Sequence, residues 1–486
     1  VVYIGATWGG VSLMYSQFGD RTISQDTAYF EQVVWGFVSG RNFFMGSSQA
    51  WWYYDPPLTS HFAMHFSPVL FLVAGVYALW SSYHVLHLLQ IVAIASAALP
   101  VYKLSRGIDP IAAALFALAY LLNAAVLSQT QGAFHELALA VPVVAWAVYF
   151  FLERRLWPCV LCLVLAIAVR EDLALVVCMF SLAAMISRDV ERRPRWAWCV
   201  LPGLIGVMGW SVAGMVMRSF GNSGDQVILS LFSRFGQSQG EILLNMMLHP
   251  GEVIALLLED HRSRYLIGLL RPGLFASMLS PAFLLALPPL LINLLVRGAG
   301  TAWLHAHYTV YLPAILMPAA VSVWLRYAPS FAAWTRSSVQ QVMRGVAGLM
   351  VVASLVGLPD VFPKEVLEAY VRPPETQEIV AVLAAVPPDA AVAAPRHLLH
   401  ALGKRTELYM VNRWAAYTRY APEFIIVERD FSRVELKDGT RTPYAWYAHY
   451  LAHDPRFEVV VQQPTLLMYR DRLIGAGSSP MTMGAR

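Results

Sequence analysis

Long apolar runs, broken by short polar or charged stretches, fill the chain up to about residue 358. A helix that crosses a bilayer needs about 20 such residues. One qualifying run ends at Phe18. Others cover residues 85–104, 110–127, 134–152, 157–169, 173–186, 196–217, 266–280, 282–296, 308–325 and 346–358. The pattern predicts a mainly α, polytopic transmembrane bundle of about eleven spans over residues 1–358. Residues 5–18 read as the end of a first membrane helix, because no signal cleavage site follows, and the native start is expected upstream of Val1. Residues 67–80 are apolar but short, bounded by Pro68 and Ser81-Ser82, which predicts a helix lying in the outer interface. Residues 19–82 read as a long, aromatic-rich, mixed loop carrying juxtamembrane helices, and residues 218–264 as a second large, polar loop.

Past Pro359 charge returns. Residues 376–385 and 444–452 read as helices, and 391–394, 424–428 and 458–462 as strands, with 465–470 the hairpin partner of the last. This predicts a small α/β domain over residues 359–474 and a flexible tail over 475–486.

Composition narrows the class. Across 486 residues, 57% are hydrophobic and 14% charged, and mean hydropathy is +0.52. Ordinary globular chains are about 25% charged, so there is too little polar surface to wrap a soluble body of this size. With 12% aromatics and 4 Cys, disordered and disulfide-scaffold classes also fail. No basic stripe interleaves with aromatics, so nucleic acid is not an expected partner. Cys159 and Cys162 form a C-x-x-C inside an apolar run, which reads as buried membrane cysteine rather than a redox or metal motif.

Lys and Arg placement sets orientation. Lys103 and Arg106, Arg154-Arg155, the stretch 188–195, and Arg326, Arg336 and Arg344 are assigned to the cytoplasm. The loops 19–82 and 218–264, the turns at 170–172 and 305–307, and the C-terminal domain then lie outside. Arg262, Arg264, Arg271 and Arg297 fit this scheme less well.

The outer face collects the groups able to do chemistry. Asp26 sits at or just before the N-terminus of an amphipathic helix over residues 27–38, and Glu31 lies on it. Two carboxylates beside a membrane suit base or metal-binding work; a helix cap and a solvated Glu explain the same pair. Trp51-Trp52-Tyr53-Tyr54 suit bilayer anchoring or stacking on a sugar or isoprenoid. His61 and His65 follow. His135-Glu136 opens one span, and Arg170-Glu171-Asp172 forms a turn between two short helices. Ionisable groups at membrane depth point to function, although this triplet can neutralise itself. His305, His307 and Tyr308 end another span; without supporting spacing, hydrogen bonding is favoured there over a divalent metal. Together these residues imply a site at the membrane–water boundary for a substrate with a lipid part and a polar head.

At these positions the chain resembles a prokaryotic family of membrane proteins of unknown function related to the GT-C glycosyltransferases. The matching pieces are residues 26–35, His65-Phe66-Ser67-Pro68, residues 99–104 and 135–140, Arg170-Glu171-Asp172-Leu173, Leu279-Ser280-Pro281 and His307-Tyr308. They cover about residues 20–330, and their order carries the specificity. Glu31 departs from the family pattern, where Asp is usual; charge is kept and reach grows by one methylene. The resemblance implies a transferase of the cytoplasmic (inner) membrane, with its C-terminal domain outside the cytoplasm. It moves a sugar from a polyprenyl-phosphate donor to an acceptor on the outer face. By that analogy Asp26 is the first catalytic candidate and Glu31 the second. Arg170 pairs with donor phosphate, while His65, His135, Glu136, Glu171, Asp172, His307 and Tyr308 line the substrate. No cofactor is implied. Membrane lipids and partner membrane subunits are further expected contacts. The alternative is a non-catalytic GT-C-like scaffold subunit. A transporter is disfavoured, because the charges collect at one face and not at the midplane.

Overall fold

A computed structural model of the chain describes residues 1–18, 24–47, 60–187, 195–221, 232–296, 301–361, 375–411, 422–429 and 450–474. The aromatic run 51–54, the basic stretch 188–194, Arg297, residues 444–449 of the predicted helix 444–452, and the tail 475–486 lie outside the described residues. The chain divides into two compact units. The first is Val1–Trp8, Phe62–Leu72 and His87–Pro363; the second is Gly9–His61, Val73–Leu86 and Lys364–Arg486.

The first unit is a helical bundle. Among the described residues, three helices are long and apolar enough to cross a membrane: Tyr83–Ser105, Trp196–Ser219 and His307–Thr335. Two bent pairs, Pro110–Leu121 with Ala124–Gln131 and Gly240–Leu248 with Pro250–Leu257, raise the number to five if each pair is one span. Shorter apolar helices include Leu156–Ile167, Leu173–Ile186 and Val339–Leu355. The Arg195–Ser219 helix turns Val207 (61% exposed) and Met208 (65% exposed) outward, as a lipid-facing helix does. Its inner side approaches Leu173–Ile186 closely. A Cβ on Gly206 would lie 2.7 Å from the Ala174 carbonyl oxygen, so only glycine admits this backbone contact. Elsewhere Asp109 caps the Pro110–Leu121 helix through the Ala112 N–H at 2.8 Å and accepts from Arg344 Nε at 2.9 Å.

Two expectations are corrected in this unit. Residues 266–280 do not form a span. The Asp260–Leu270 helix stops at Pro272-Gly273, and Leu274 and Phe275 adopt φ of 53° and 59°. The missing Pro272 N–H and two left-handed residues end the helical ladder. Residues 282–296, by contrast, match a short apolar helix, Pro281–Leu295, which opens as a 3-10 segment, Pro281–Ala286, and continues as α-helix at Leu287–Leu295. The predicted loop 218–264 contains the helices Gln239–Leu248 and Pro250–Leu257 and the start of Asp260–Leu270. Ile242 and Leu256 are buried there, and so is Arg262, while Leu244, Met247 and Ile254 are exposed.

The second unit carries a five-stranded sheet. The strands are β1 (Val392–Ala394), β2 (Leu408–Met410), β3 (Phe424–Glu428), β4 (Phe457–Gln462) and β5 (Leu466–Asp471), in the order β2-β1-β3-β5-β4. β1 is parallel to β2 and β3; β5 is antiparallel to β3 and β4. One face packs Ile426 and Met468 with Phe18 and Ala28, Ile379 and Val382 from the helix Thr376–Ala384, and Leu398 and Leu399 from the 3-10 segment Arg396–Leu402. Strand β2 has three residues, too few for a period-2 pattern to show. The helix carrying Asp26 runs Ser24–Val38, three residues longer at its start than expected. Asp26 therefore lies in the first turn and not at the cap.

Candidate functional site

In the first unit the chain turns at Arg170-Glu171-Asp172 between Leu156–Ile167 and Leu173–Ile186. Asp172 stands at the N-cap without capping. Its carboxylate accepts instead from Arg170, from Nε at 2.9 Å and Nη2 at 2.5 Å. Arg170 is only 4% exposed, so this bidentate pair answers the cost of burying its charge. Burial alone would raise the Asp172 pKa; the guanidinium outweighs it and holds the carboxyl below the usual range.

Glu171 reaches the opposite way. It accepts from His65 Nδ1 at 2.8 Å and from the Phe66 N–H at 2.8 Å, while the Val69 N–H donates to the Ala168 carbonyl at 2.9 Å. The segment before the Val69–Leu79 helix is thereby fastened to the turn. Burial disfavours charge on His65, but the Glu171 carboxylate wins and its pKa is raised.

A third segment arrives at His135, whose Nδ1 accepts from the Leu137 N–H at 3.4 Å and caps the 3-10 turn Glu136–Leu139. Glu136 Oε2 lies 2.7 Å from the same nitrogen. The carboxyl is fully buried, and neither oxygen has a hydrogen-bond partner among the described residues. His307, from a fourth segment, stacks on His135 with ring centroids 4.0 Å apart and planes 13° apart. Tyr308 packs on His307 at 3.9 Å, and the Arg170 guanidinium lies 5.8 Å from the Tyr308 ring centre. Arg170 also feels the charges of Glu136 and Glu171.

Eight sequence-chosen residues thus meet in one place: His65, His135, Glu136, Arg170, Glu171, Asp172, His307 and Tyr308. His305 points elsewhere, exposed beside Trp303. Sequence reasoning missed the groups that position the cluster. Gln90 Nε2 donates to the carbonyls of Gln129, Gly132 and Ala133, and its Oε1 accepts from the His135 N–H at 2.9 Å. Gln129 Nε2 donates to the Leu304 and Ala306 carbonyls at 3.2 and 2.8 Å, fixing the approach to His307. Asn293 donates to Tyr265 Oη at 2.8 Å and the Tyr308 carbonyl at 3.3 Å. The available signal was an uncharged amide inside an apolar helix, which is stable only when fully bonded.

The second unit holds the other two candidates. Asp26 is half-buried in the first turn of Ser24–Val38, where the helix dipole favours an anion. Glu31 is 2% exposed, which corrects the solvated-Glu reading. Burial pushes its pKa up to about 7, against the Tyr77 hydroxyl that donates to Oε1 at 2.9 Å. The second oxygen abuts Gly403, where an added Cβ would lie 2.6 Å away. Five residues place Asp26 and Glu31 about 140° apart around their helix, so they do not converge. Among the described residues, no three His, Cys, Asp or Glu are arranged to hold a metal ion.

A family model described as "Predicted membrane protein (DUF2079)" matches residues 23–444. No curated protein matches the chain. Two solved structures of ArnT from Cupriavidus metallidurans are similar, each with a TM-score of 0.51 over 96% of this chain and 97% of that chain. Identity is 11% to the apo form and 13% to the form bound to undecaprenyl phosphate. Likeness at this identity speaks for the fold, a mainly helical GT-C-type membrane architecture with a small C-terminal sheet.

Proposed function

The chain belongs to the DUF2079 family of predicted membrane proteins, and we propose that it is an inner-membrane glycosyltransferase using a polyprenyl-phosphate-linked sugar. The observation that carries this is the meeting of His65, His135–Glu136, Arg170–Asp172 and His307–Tyr308, drawn from four distant segments. A buried set of acids, imidazoles and one guanidinium suits the polar head of a lipid-linked substrate. The ArnT form bound to undecaprenyl phosphate supports the class of donor. Arg170 keeps N–H groups beyond the two given to Asp172, and His65, whose pKa Glu171 raises, is a second group able to carry positive charge toward the phosphate.

In the proposed reaction an acceptor hydroxyl attacks the anomeric carbon, the bond from that carbon to phosphate oxygen breaks, and polyprenyl phosphate leaves. The hydroxyl proton passes to Asp26 as base, a role taken from the family resemblance. Cationic groups stabilise the charge on the departing phosphate. By the charge rule the cluster end of the bundle and the C-terminal domain face away from the cytoplasm.

One observation favours a second reading, a non-catalytic scaffold subunit: Arg170 is already closed onto Asp172, as a purely structural turn would have it. The two readings separate in a transfer assay on purified protein, with a panel of radiolabelled polyprenyl-phosphate sugars and membrane lipid extract. Transfer by the wild type that disappears in a folded Asp26→Asn variant supports the enzyme and its base. Transfer that survives Asp26→Asn moves the base elsewhere. No transfer from any donor, with partner subunits co-purifying, supports the scaffold.

A further inference from the structure

The helices of the first unit have a basic end, carrying Lys103, Arg106, Arg154, Arg155 and Arg326. Two of these cations lie on aromatic rings: Lys103 over Trp146 at 4.8 Å and Arg155 over Phe150 at 5.5 Å. At the same end a cavity of about 610 Å³ opens between the helix ends. Arg154 and Arg326 line it, and Glu153 is the one carboxylate among its lining residues. Its wall includes Phe151 and Trp198, which are 8% and 4% exposed, and the facing hydroxyls of Ser280 and Ser322, 3.4 Å apart. Ile186 and Leu279 also line it yet are 58% and 73% exposed. A rim of exposed aliphatic side chains on a membrane protein opens toward lipid chains and not toward water.

This place is separate from the cluster described above. The helix Leu173–Ile186 starts at the Arg170–Asp172 turn and ends in the cavity wall. Its 14 residues put the two about 20 Å apart. By the charge rule the cavity lies on the cytoplasmic side, where basic pockets between helices meet anionic headgroups.

We propose that the cavity binds the phosphate of an anionic membrane lipid. Arg154 and Arg326 take the phosphate, the Ser280 hydroxyl donates to one of its oxygens while the Ser322 hydroxyl donates to the Ala319 carbonyl, and the hydrocarbon chain runs out past Ile186 and Leu279. A glycerophospholipid and a polyprenyl phosphate share this chemistry. The site would tie the basic end of the bundle to the lipid around it, independently of any transfer reaction.

The test is lipid titration of the purified full-length protein, read by native mass spectrometry. The probes are dioctanoyl phosphatidylglycerol, dioctanoyl phosphatidylcholine, a short-chain polyprenyl phosphate and inorganic phosphate. Phosphatidylglycerol or polyprenyl phosphate is expected to bind more tightly than phosphatidylcholine and inorganic phosphate. Which of the two binds identifies the source. Arg154→Ala with Arg326→Ala is expected to weaken that binding about 25-fold, about fivefold per arginine. Arg264→Ala, an exposed arginine paired with Asp260, is expected to leave it unchanged. If the double variant fails to fold, Arg326→Gln alone should weaken binding about fivefold. Equal binding of phosphatidylcholine and phosphatidylglycerol, or of inorganic phosphate and the lipids, would overturn the proposal. So would arginine variants that bind as the wild type does.

Discussion

Replacing Glu31 by Gln should flatten a pH dependence of stability in the acidic to neutral range. The carboxyl is 2% exposed, receives the Tyr77 hydroxyl at 2.9 Å, and has its pKa pushed by burial to about 7, from an ordinary value of 4.5. Each pKa unit corresponds to about 1.4 kcal/mol, so the shift is worth roughly 3 kcal/mol. The sign follows from proton binding. Between about pH 4.5 and 7 the folded state holds a proton that the unfolded state has released. Stability from this group is therefore full at the acidic end and falls as pH rises through the folded pKa. The substituted amide cannot titrate, so the variant should match the wild type near pH 4.5 and exceed it by roughly 3 kcal/mol near pH 8.5, less any loss from its amide meeting Tyr77. Equilibrium unfolding in mixed micelles at half-unit pH steps reads this directly. Parallel pH profiles for the two proteins would refute the reasoning, since they would mean that Glu31 is ionised and solvated in the folded state.

Further outcomes follow from the cluster. Asp172→Asn leaves the Arg170 guanidinium buried without its carboxylate and should cost about 3 kcal/mol in the same unfolding assay, with much of the loss recovered by adding Arg170→Gln. A double-mutant cycle showing no coupling would contradict the bidentate pair. Glu171→Gln should lower stability by about 1 kcal/mol after solvent screening, with the larger gap at pH 5.5 and a smaller one at pH 9. The reason is that the raised His65 pKa contributes fully below its unfolded value and is lost as pH rises through the folded one. Gln129→Ala strips donors from two carbonyls, Leu304 and Ala306. It should cost about 1–3 kcal/mol and speed amide hydrogen exchange around His307, which unchanged exchange would contradict.

How much was legible differs along the chain. Leu173–Ile186 reads off its apolar run to the residue because charged Arg170–Asp172 and polar Ser187 bound it. The stretch 266–280 misleads because hydropathy counts apolar residues and ignores Pro272 and Gly273, which decide the backbone. Strand β2 is invisible for the opposite reason: Leu408–Met410 is fully buried, so no alternation marks it. In the cluster, charge and imidazole at the ends of apolar runs flagged every ionisable member. Nothing in the sequence revealed that Arg170 turns to Asp172 while Glu171 turns to His65, because neighbours in one tight turn project in different directions. Gln90 and Gln129 stayed hidden because an amide carries no charge to mark it. Glu31 was legible as an acid on an amphipathic helix, but its burial depends on Tyr77 and Gly403, distant in sequence.

A donor-binding cluster is tested most directly by sugar transfer from radiolabelled polyprenyl-phosphate donors, comparing the wild type with His135→Ala and His307→Ala, each shown to be folded by gel filtration and unfolding. The expected result is transfer by the wild type and a loss of at least about 100-fold in kcat/KM in both variants, on the order of 3 kcal/mol of transition-state stabilisation. Transfer by both variants at the wild-type rate would contradict a role for the stacked imidazoles, and a folded wild type that transfers from no donor would contradict the enzyme itself.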